Sequence, residues 1–497
     1  MNKRLIIIAV YSVVGTFCCM AQTVSSVEEQ YHSEKCRTVP VVCINPDDNN
    51  NSIVCYNDSA AARPCFVYHM HSGAANSRKF PWPDISNIYG SMSYKVNDMV
   101  IIDGLCYFCG RKTAFSGYEY TPEGYLALVS QTTGFFGWFP VSQISDPYGT
   151  TLDLYLFDIP VSELNRMVGF SVSGVVELGL ISETTLALVK GSGSSWIFHL
   201  QDAAPTETLE DIEITPNHLV TLSRFANSPF SFGLRCETRT VAFNAPSTHI
   251  LTNYYNGIKY DTQAMTTTDL PGETPTEHTG ETPMRVVAHP GTDLVTVAYD
   301  GLTFDRSDCE HFGFYTPMYL MDFSNCSTGY VNIAMSDAQL VTTSLLNVAN
   351  YSLWEICYVT TNNTIAMLHG MGVEEYGMWS VLQILSWNPA YNPQSLQADS
   401  KVFRSMDVGA NGWAYMTGWR EAEKNLLHFR QDGSTMTQSC QSTRPSANAK
   451  KLINEADEVL VTVEPSGIPF PWSTDTPTHI TIDSTMTGHF IECTTSY

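Results

Sequence analysis

Few side chains in this sequence are placed to do chemistry. His69 and His71 in YHMHSG are the close pair of imidazoles. Residues two apart on a strand share a face, so with a carboxylate they could hold a metal ion. A packed or solvated strand pair explains the spacing more simply, and no metal or other cofactor is expected. Cys106 and Cys109 make a C-x-x-C, but they lie inside the strand-like VIIDGLCYFCG. Residues three apart on a strand point to opposite faces, so the pair is read as structural and not as a dithiol or chelate. Asp47, Asn49 and Asn51 have the alternate spacing of a calcium loop with Asp58 at its closing position, yet Ser52 stands where the sharp turn needs glycine, and a polar turn is the better reading. A G-x-S-x-G elbow, an H-E-x-x-H helix and a sialidase-type aspartate box are all missing; GFSVSG from Gly169 and SDPYGTT from Ser145 only approach them. Two carboxylates could still act together, but fifty acidic residues give no basis for choosing them.

The remaining candidates are aromatic. Trp82, Trp138 and Trp472 lie in the Gly/Pro-rich stretches FPWPD, GFFGWFP and FPWSTD. Exposed aromatic planes in loops stack on sugar rings, so these three are the candidate ligand platform, with packing between sheets as the alternative.

The elements that must position such residues are strands. Short runs rich in Val, Ile, Thr, Tyr and Phe, bounded by Gly, Asn, Asp, Ser and Pro, recur along the chain, as in TLALVKG from Thr185, HLVTL from His218, DLVTVAYDG from Asp293 and TIAML from Thr364. Helical periodicity is confined to two short candidates, residues 25–35 and 448–456. Internal repetition then separates a propeller from a sandwich. Gly104, Tyr107 and Gly110 form a G-x-x-Y-x-x-G that returns at Gly412, Tyr415 and Gly418, each behind a turn dipeptide, Asp-Gly or Asn-Gly. F-P-W also occurs twice, at Phe80–Trp82 and at Phe470–Trp472. The expected fold is all-β: a single β-propeller of about seven blades, with six to eight as the range, built of antiparallel four-stranded blades. It covers residues 36–497, with a long surface loop at 266–283 marked by a doubled G-E-T-P.

The chain opens with Lys3 and Arg4, an apolar run from Leu5 and a small Ala21 before Gln22, which reads as a signal peptide over residues 1–21 followed by a leader over 22–35. The expected address is secreted, periplasmic or cell-surface, with no transmembrane segment after cleavage and a monomeric product. Formal net charge is −24, and Lys3 and Arg4 leave with the signal. Scarce, scattered cations exclude a nucleic-acid partner. Of fourteen cysteines, Cys18 and Cys19 also leave with the signal. Disulfides are plausible in an oxidising compartment, the local candidates being Cys55 with Cys65 across a hairpin and Cys309 with Cys326.

Asp98, Met99, Val100, Gly104, Tyr107, Phe108, Cys109 and Gly110 fit the form D-M-x-V-x-x-G-x-x-Y-F-C-G, with a weaker copy near Gly412. In this and in its signal the chain resembles secreted β-propeller-like proteins of Bacteroidetes-type bacteria. The resemblance implies a propeller-like fold and an exported address, and no activity. The resulting expectation is a non-catalytic binding protein that recognises a glycan or a protein through loops at one end of the axis. The alternative is a propeller-type glycoside hydrolase or polysaccharide lyase.

Overall fold

A computed structural model describes residues 23–45, 51–58, 63–70, 77–82, 86–87, 90–91, 93–146, 151–193, 195–203, 205, 207–225, 228–244, 249–256, 273–276, 284–299, 303–306, 312–324, 330–342, 348–373, 377–385, 394–398, 401–420, 424–432, 447–450, 457–460, 462–465, 468–469, 473–474, 478–481, 484–485 and 489–495. The signal segment, His71, Cys309, Cys326 and Trp472 lie outside these residues, as does most of 266–283, of which Glu273–Thr276 forms a strand paired with Thr303–Arg306.

The described residues are overwhelmingly β, with two short helices, Val141–Ser145 and Arg239–Asn244. Among them, seven antiparallel sheets of four or more strands follow one another along the chain. Their first strands are Val41–Ile44, Ser93–Ile102, Arg166–Val172, Glu207–Ile214, Met284–Ala288, Val348–Val359 and Lys401–Val408, and we number the sheets one to seven accordingly. Each first strand lies against the next, and that of sheet seven lies against that of sheet one. Among the described residues no sheet closes on itself.

Sheets one to six each draw their four central strands from one stretch of chain. Sheet seven does not. After Lys401–Val408, Trp413–Arg420 and Asn425–Asp432, its fourth strand is Thr23–Lys35, from the other end of the chain. Residues 25–35 are therefore extended and not the helix that their pattern allows. The reason is tertiary: the segment pairs on both sides, with Asn425–Asp432 and with His489–Thr495, and residues 26–31 are buried throughout. Backbone pairing on both edges and coverage of both faces override a weak local propensity. Ala447–Lys450, at the edge of the second helical candidate, is likewise a strand.

Beyond residue 446 the chain retraces the sheets in reverse. Ala447–Lys450 and Asp457–Leu460 add to sheet five, Thr462–Pro465 to sheet four, and Ile468–Pro469 with Ser473–Thr474 to sheet three. Thr478–Thr481 then joins sheet two, Ser484–Thr485 sheet one and His489–Thr495 sheet seven.

The core lies between neighbouring sheets, because period-two alternation sends successive side chains of one strand to the two flanking interfaces. In Leu105–Tyr120, Cys106 and Phe108 pack toward sheet one, while Tyr107 and Cys109 pack toward sheet three. The C-x-x-C is split across two interfaces, as the strand reading requires.

Candidate functional site

The first strands of all seven sheets line one cavity of about 620 Å³, from Val42 and Ile44 in sheet one to Ser405–Ala410 in sheet seven. Its wall carries Asp98, Asp211, Glu213, Glu355 and Asp407, with Arg166 as their counter-charge.

These groups reach the cavity through a repeated local feature. The first strands of sheets two, four, six and seven each slip register by one residue, at Val96/Asp98, Leu209/Asp211, Leu353/Glu355 and Phe403/Ser405. Such a bulge re-aims the side chain that follows it. In sheets two and seven the partner strand accommodates the bulge with a glycine. A Cβ on Gly110 would lie 1.8 Å from the Lys95 carbonyl oxygen, and one on Gly418 would lie 1.8 Å from that of Val402. The G-x-x-Y-x-x-G echo thus marks equivalent places in two sheets.

Most of the carboxyl oxygens are already committed to the backbone. Asp98 Oδ1 accepts the N–H of Met99, and its Oδ2 accepts that of Met167 in the next sheet at 2.9 Å. Asp211 does the same with Ile212 and Val286, and Asp407 with Val408 and Ile44. Ser405 adds a bond from the Val42 N–H. Each aspartate staples its own sheet to its neighbour. Glu355 accepts Arg166 at 2.6 Å, and both Arg166 and Arg285 donate to the Trp354 carbonyl. Glu213 accepts the N–H of its neighbour Ile214 through one oxygen, Oε2.

Burial pushes the Asp98 carboxyl up to about 7 against the pull of Arg166, and Asp407 up to about 6. It also raises Asp211, and raises Glu213 strongly with Asp211 adding to the effect. Burial works against the Arg166 charge, but Glu355, Asp211 and Asp98 outweigh it and hold the guanidinium protonated. The cavity therefore offers protonated as well as ionised carboxyls, which donate as well as accept hydrogen bonds.

The residues singled out from sequence are elsewhere. Trp82 is buried, with its ring 4.7 Å from Tyr94 and 5.9 Å from Phe108. Trp138 is buried too, stacked on Tyr155 at 4.8 Å and packed against Trp196 at 5.1 Å. For both, the ligand platform gives way to the packing alternative: GFFGWFP is strand, and Trp82 follows directly on the strand Arg78–Pro81. Gly137 lies next to Trp138 because a Cβ there would meet the Tyr155 carbonyl at 2.4 Å.

His69 is fully buried between sheets one and seven. Its Nδ1 lies 2.8 Å from Glu29 Oε2 and 2.9 Å from the Tyr31 hydroxyl, and its ring stacks on His428 at 4.3 Å. Burial raises the Glu29 carboxyl, but His69, His428 and Tyr31 outweigh that and hold it at about 2. Among the described residues no group of three or more His, Cys, Asp or Glu is arranged to hold a metal ion. Cys55 and Cys65 do come from adjacent strands, but one residue out of register, Cys55 opposite Phe66 and Cys65 opposite Tyr56. Their side chains enter different core clusters and both thiols are free.

A second exposed surface projects from sheet two. Leu105–Tyr120 and Leu126–Pro140 run on past their pairing with Ser93–Ile102 and Thr151–Ile159, so that residues 114–133 form a two-stranded ribbon. The Thr121–Tyr125 turn closes it, with the Gly124 N–H on the Thr121 carbonyl at 2.8 Å and the Thr121 N–H on that of Tyr125 at 2.7 Å. Tyr118, Tyr120, Tyr125 and Leu126 are 59%, 77%, 74% and 57% exposed. The ribbon leaves the sheet beside Ser93, at the start of the first strand. The cavity wall instead extends past the far ends of these strands, to Thr215–Pro216, His289–Gly291 and Gly409–Ala410.

No family model matches the chain, and no curated protein matches it. Among solved structures it is similar to the extracellular domain of a hybrid two-component system of B. thetaiotaomicron, at 9% identity and a TM-score of 0.20, over 86% of this chain and 79% of that one. A second structure, described as the extracellular domain of a one-component system of the same organism, gives 8% identity and a TM-score of 0.14 over 84% of each chain. Likeness at this level defines neither fold nor activity.

Proposed function

We propose that the seven sheets are the blades of a single propeller and that the cavity on its axis binds the end of a neutral, hydroxyl-rich ligand, a glycan terminus, without turning it over. The blade reading is supported by the closed succession of first strands and by a cavity to which every sheet contributes. A mixture of donor and acceptor carboxyls suits sugar hydroxyls, while the guanidinium of the wall, Arg166, is already paired with Glu355. At about 620 Å³ the cavity has the size of a small-molecule pocket and takes a chain end, not its length. The chain is read as exported, and the mass of its mature N-terminus tests this.

One observation carries the binding reading over hydrolysis or lyase chemistry: three of the five carboxyls use both oxygens on backbone N–H groups, and a fourth is paired with Arg166. A two-carboxylate hydrolase needs two free acids, and this leaves Glu213. The test is a glycan array run in parallel with a reducing-end assay. Retention of neutral glycans without new reducing ends is expected, with retention weakened about fivefold by Glu213→Gln, roughly the worth of one hydrogen bond to a neutral group. New reducing ends, or retention confined to anionic glycans, would overturn the reading.

The tyrosine ribbon favours a second, protein partner. A convex arm cannot enclose a small ligand, so its partner must supply the groove, and Tyr is enriched at such contacts. No Lys or Arg occurs between Lys112 and Arg166, while Glu119 and Glu123 flank the tyrosines, so the groove would be basic. A photocrosslinker at Tyr120 should reach Lys- or Arg-bearing peptides of another protein and lose them on Tyr125→Ser; crosslinks to a second copy, or none, sink this reading.

A further inference from the structure

Period-two alternation sets two cysteines face to face across the interface of sheets one and two. In Val41–Ile44, Val41 and Cys43 point toward sheet two while Val42 and Ile44 point toward sheet seven; in Leu105–Tyr120, Cys106 and Phe108 point back toward sheet one. The sulfurs of Cys43 and Cys106 lie 4.0 Å apart, the contact distance of two thiols, and both residues are buried.

We propose that Cys43 and Cys106 are joined by a disulfide that ties sheet one to sheet two, formed when the chain folds in contact with an external disulfide. An S–S bond of about 2.0 Å requires the sulfurs to close roughly 2 Å by rotation of their side chains. One cysteine thiolate attacks the external disulfide and expels one thiol. The other then attacks the protein sulfur of the mixed disulfide and expels the second, so the two protons and two electrons of the cysteine pair end on the two released thiols. Burial closes the site to reagents once the sheets meet, so exchange belongs to the folding chain. The bond spans 63 residues of sequence and encloses the strands Asn51–Asn57, Pro64–Met70 and Arg78–Pro81 of sheet one. Tying so long a loop restricts the unfolded chain. The hairpin pair Cys55 and Cys65 cannot do this, because its side chains enter different interfaces.

The test does not depend on export. The reduced full chain is refolded in a mixture of reduced and oxidised glutathione, quenched with iodoacetamide and mapped without reduction. The expected product is a peptide containing Cys43 linked to one containing Cys106. Its Tm should fall on adding dithiothreitol, and the fall should vanish in the Cys43→Ser, Cys106→Ser variant. A folded product in which both cysteines are alkylated, or in which either is linked to Cys55, would overturn the proposal. The peptide map uses the unsubstituted chain, so it decides the matter even where the double variant does not fold.

Discussion

Gly110 shows how one residue conditions a whole interface. The bulge in Ser93–Ile102 brings the Lys95 carbonyl where any Cβ at position 110 would be, and the same bulge aims Asp98 at Met167 of the next sheet. Gly110→Ala must therefore push two paired strands apart, and we expect a loss of about 3 kcal/mol or more in urea unfolding, at the upper end for an overpacked site. An unchanged midpoint would remove the bulge from the explanation. Trp138→Ala is expected to cost about 3–5 kcal/mol, the range for emptying a large aromatic site in a core, and to leave glycan retention in the folded fraction unchanged. Lost retention with intact stability would return Trp138 to the ligand platform. The two residue types differ in how well sequence exposes them. Gly110 was legible because Gly418 repeats it in a matching frame. Trp138 was not, because glycines admitted by close strand packing look like glycines of a loop.

The cavity residues were hidden for a different reason. Apart from Asp211 and Glu213 they come from different sheets, so no motif spans them; what recurs is only a short step of a polar group, an apolar residue, any residue and another apolar one, as in Asp98–Ile101 and Asp211–Ile214. At the scale of elements, the strand Thr23–Lys35 carries the most consequence. It is the fourth strand of sheet seven, yet it is polar enough to pattern as a helix, and its buried Glu28 and Glu29 are matched by Lys401 and His69 from other elements. Such partners come from residues far away in sequence, which local periodicity does not register. Glu29→Gln breaks a buried pair and is expected to cost about 3 kcal/mol at neutral pH. Because the folded carboxyl is held at about 2, below its ordinary value, its contribution is whole above about 4.5 and is lost as pH falls toward 2. The gap between wild type and variant, read from urea midpoints, should narrow over that range; a gap independent of pH would show that Glu29 matters through shape alone.

For the whole molecule, short strands and turn dipeptides announced an all-β chain, and the sheets among the described residues are antiparallel throughout, whereas the irregular spacing of the strands gave no sheet count of its own. The reverse course of residues 447–495 left no trace in the sequence, since two- to seven-residue edge strands carry too little pattern to assign to a sheet. Charge integrates over all these elements. Fifty acidic residues oppose twenty-six basic ones, and burial raises Asp211, Glu213, Asp407 to about 6, Asp98 to about 7 and Glu237 to about 8. A carboxyl whose folded value exceeds its unfolded value lends stability that is complete below about pH 4 and drains away as pH rises through the folded value. Self-repulsion of the acidic surface grows over the same interval. Calorimetry should therefore give a higher Tm near pH 5 than near pH 8. In Asp98→Asn the Tm should be lower throughout, because an amide N–H would face a backbone N–H, and the slope across pH 6–8 should be shallower. A Tm that is flat or rises from pH 5 to 8 would mean that these carboxyls are ionised in the folded state at little cost, and that the cavity wall is then anionic and accepts hydrogen bonds without donating them.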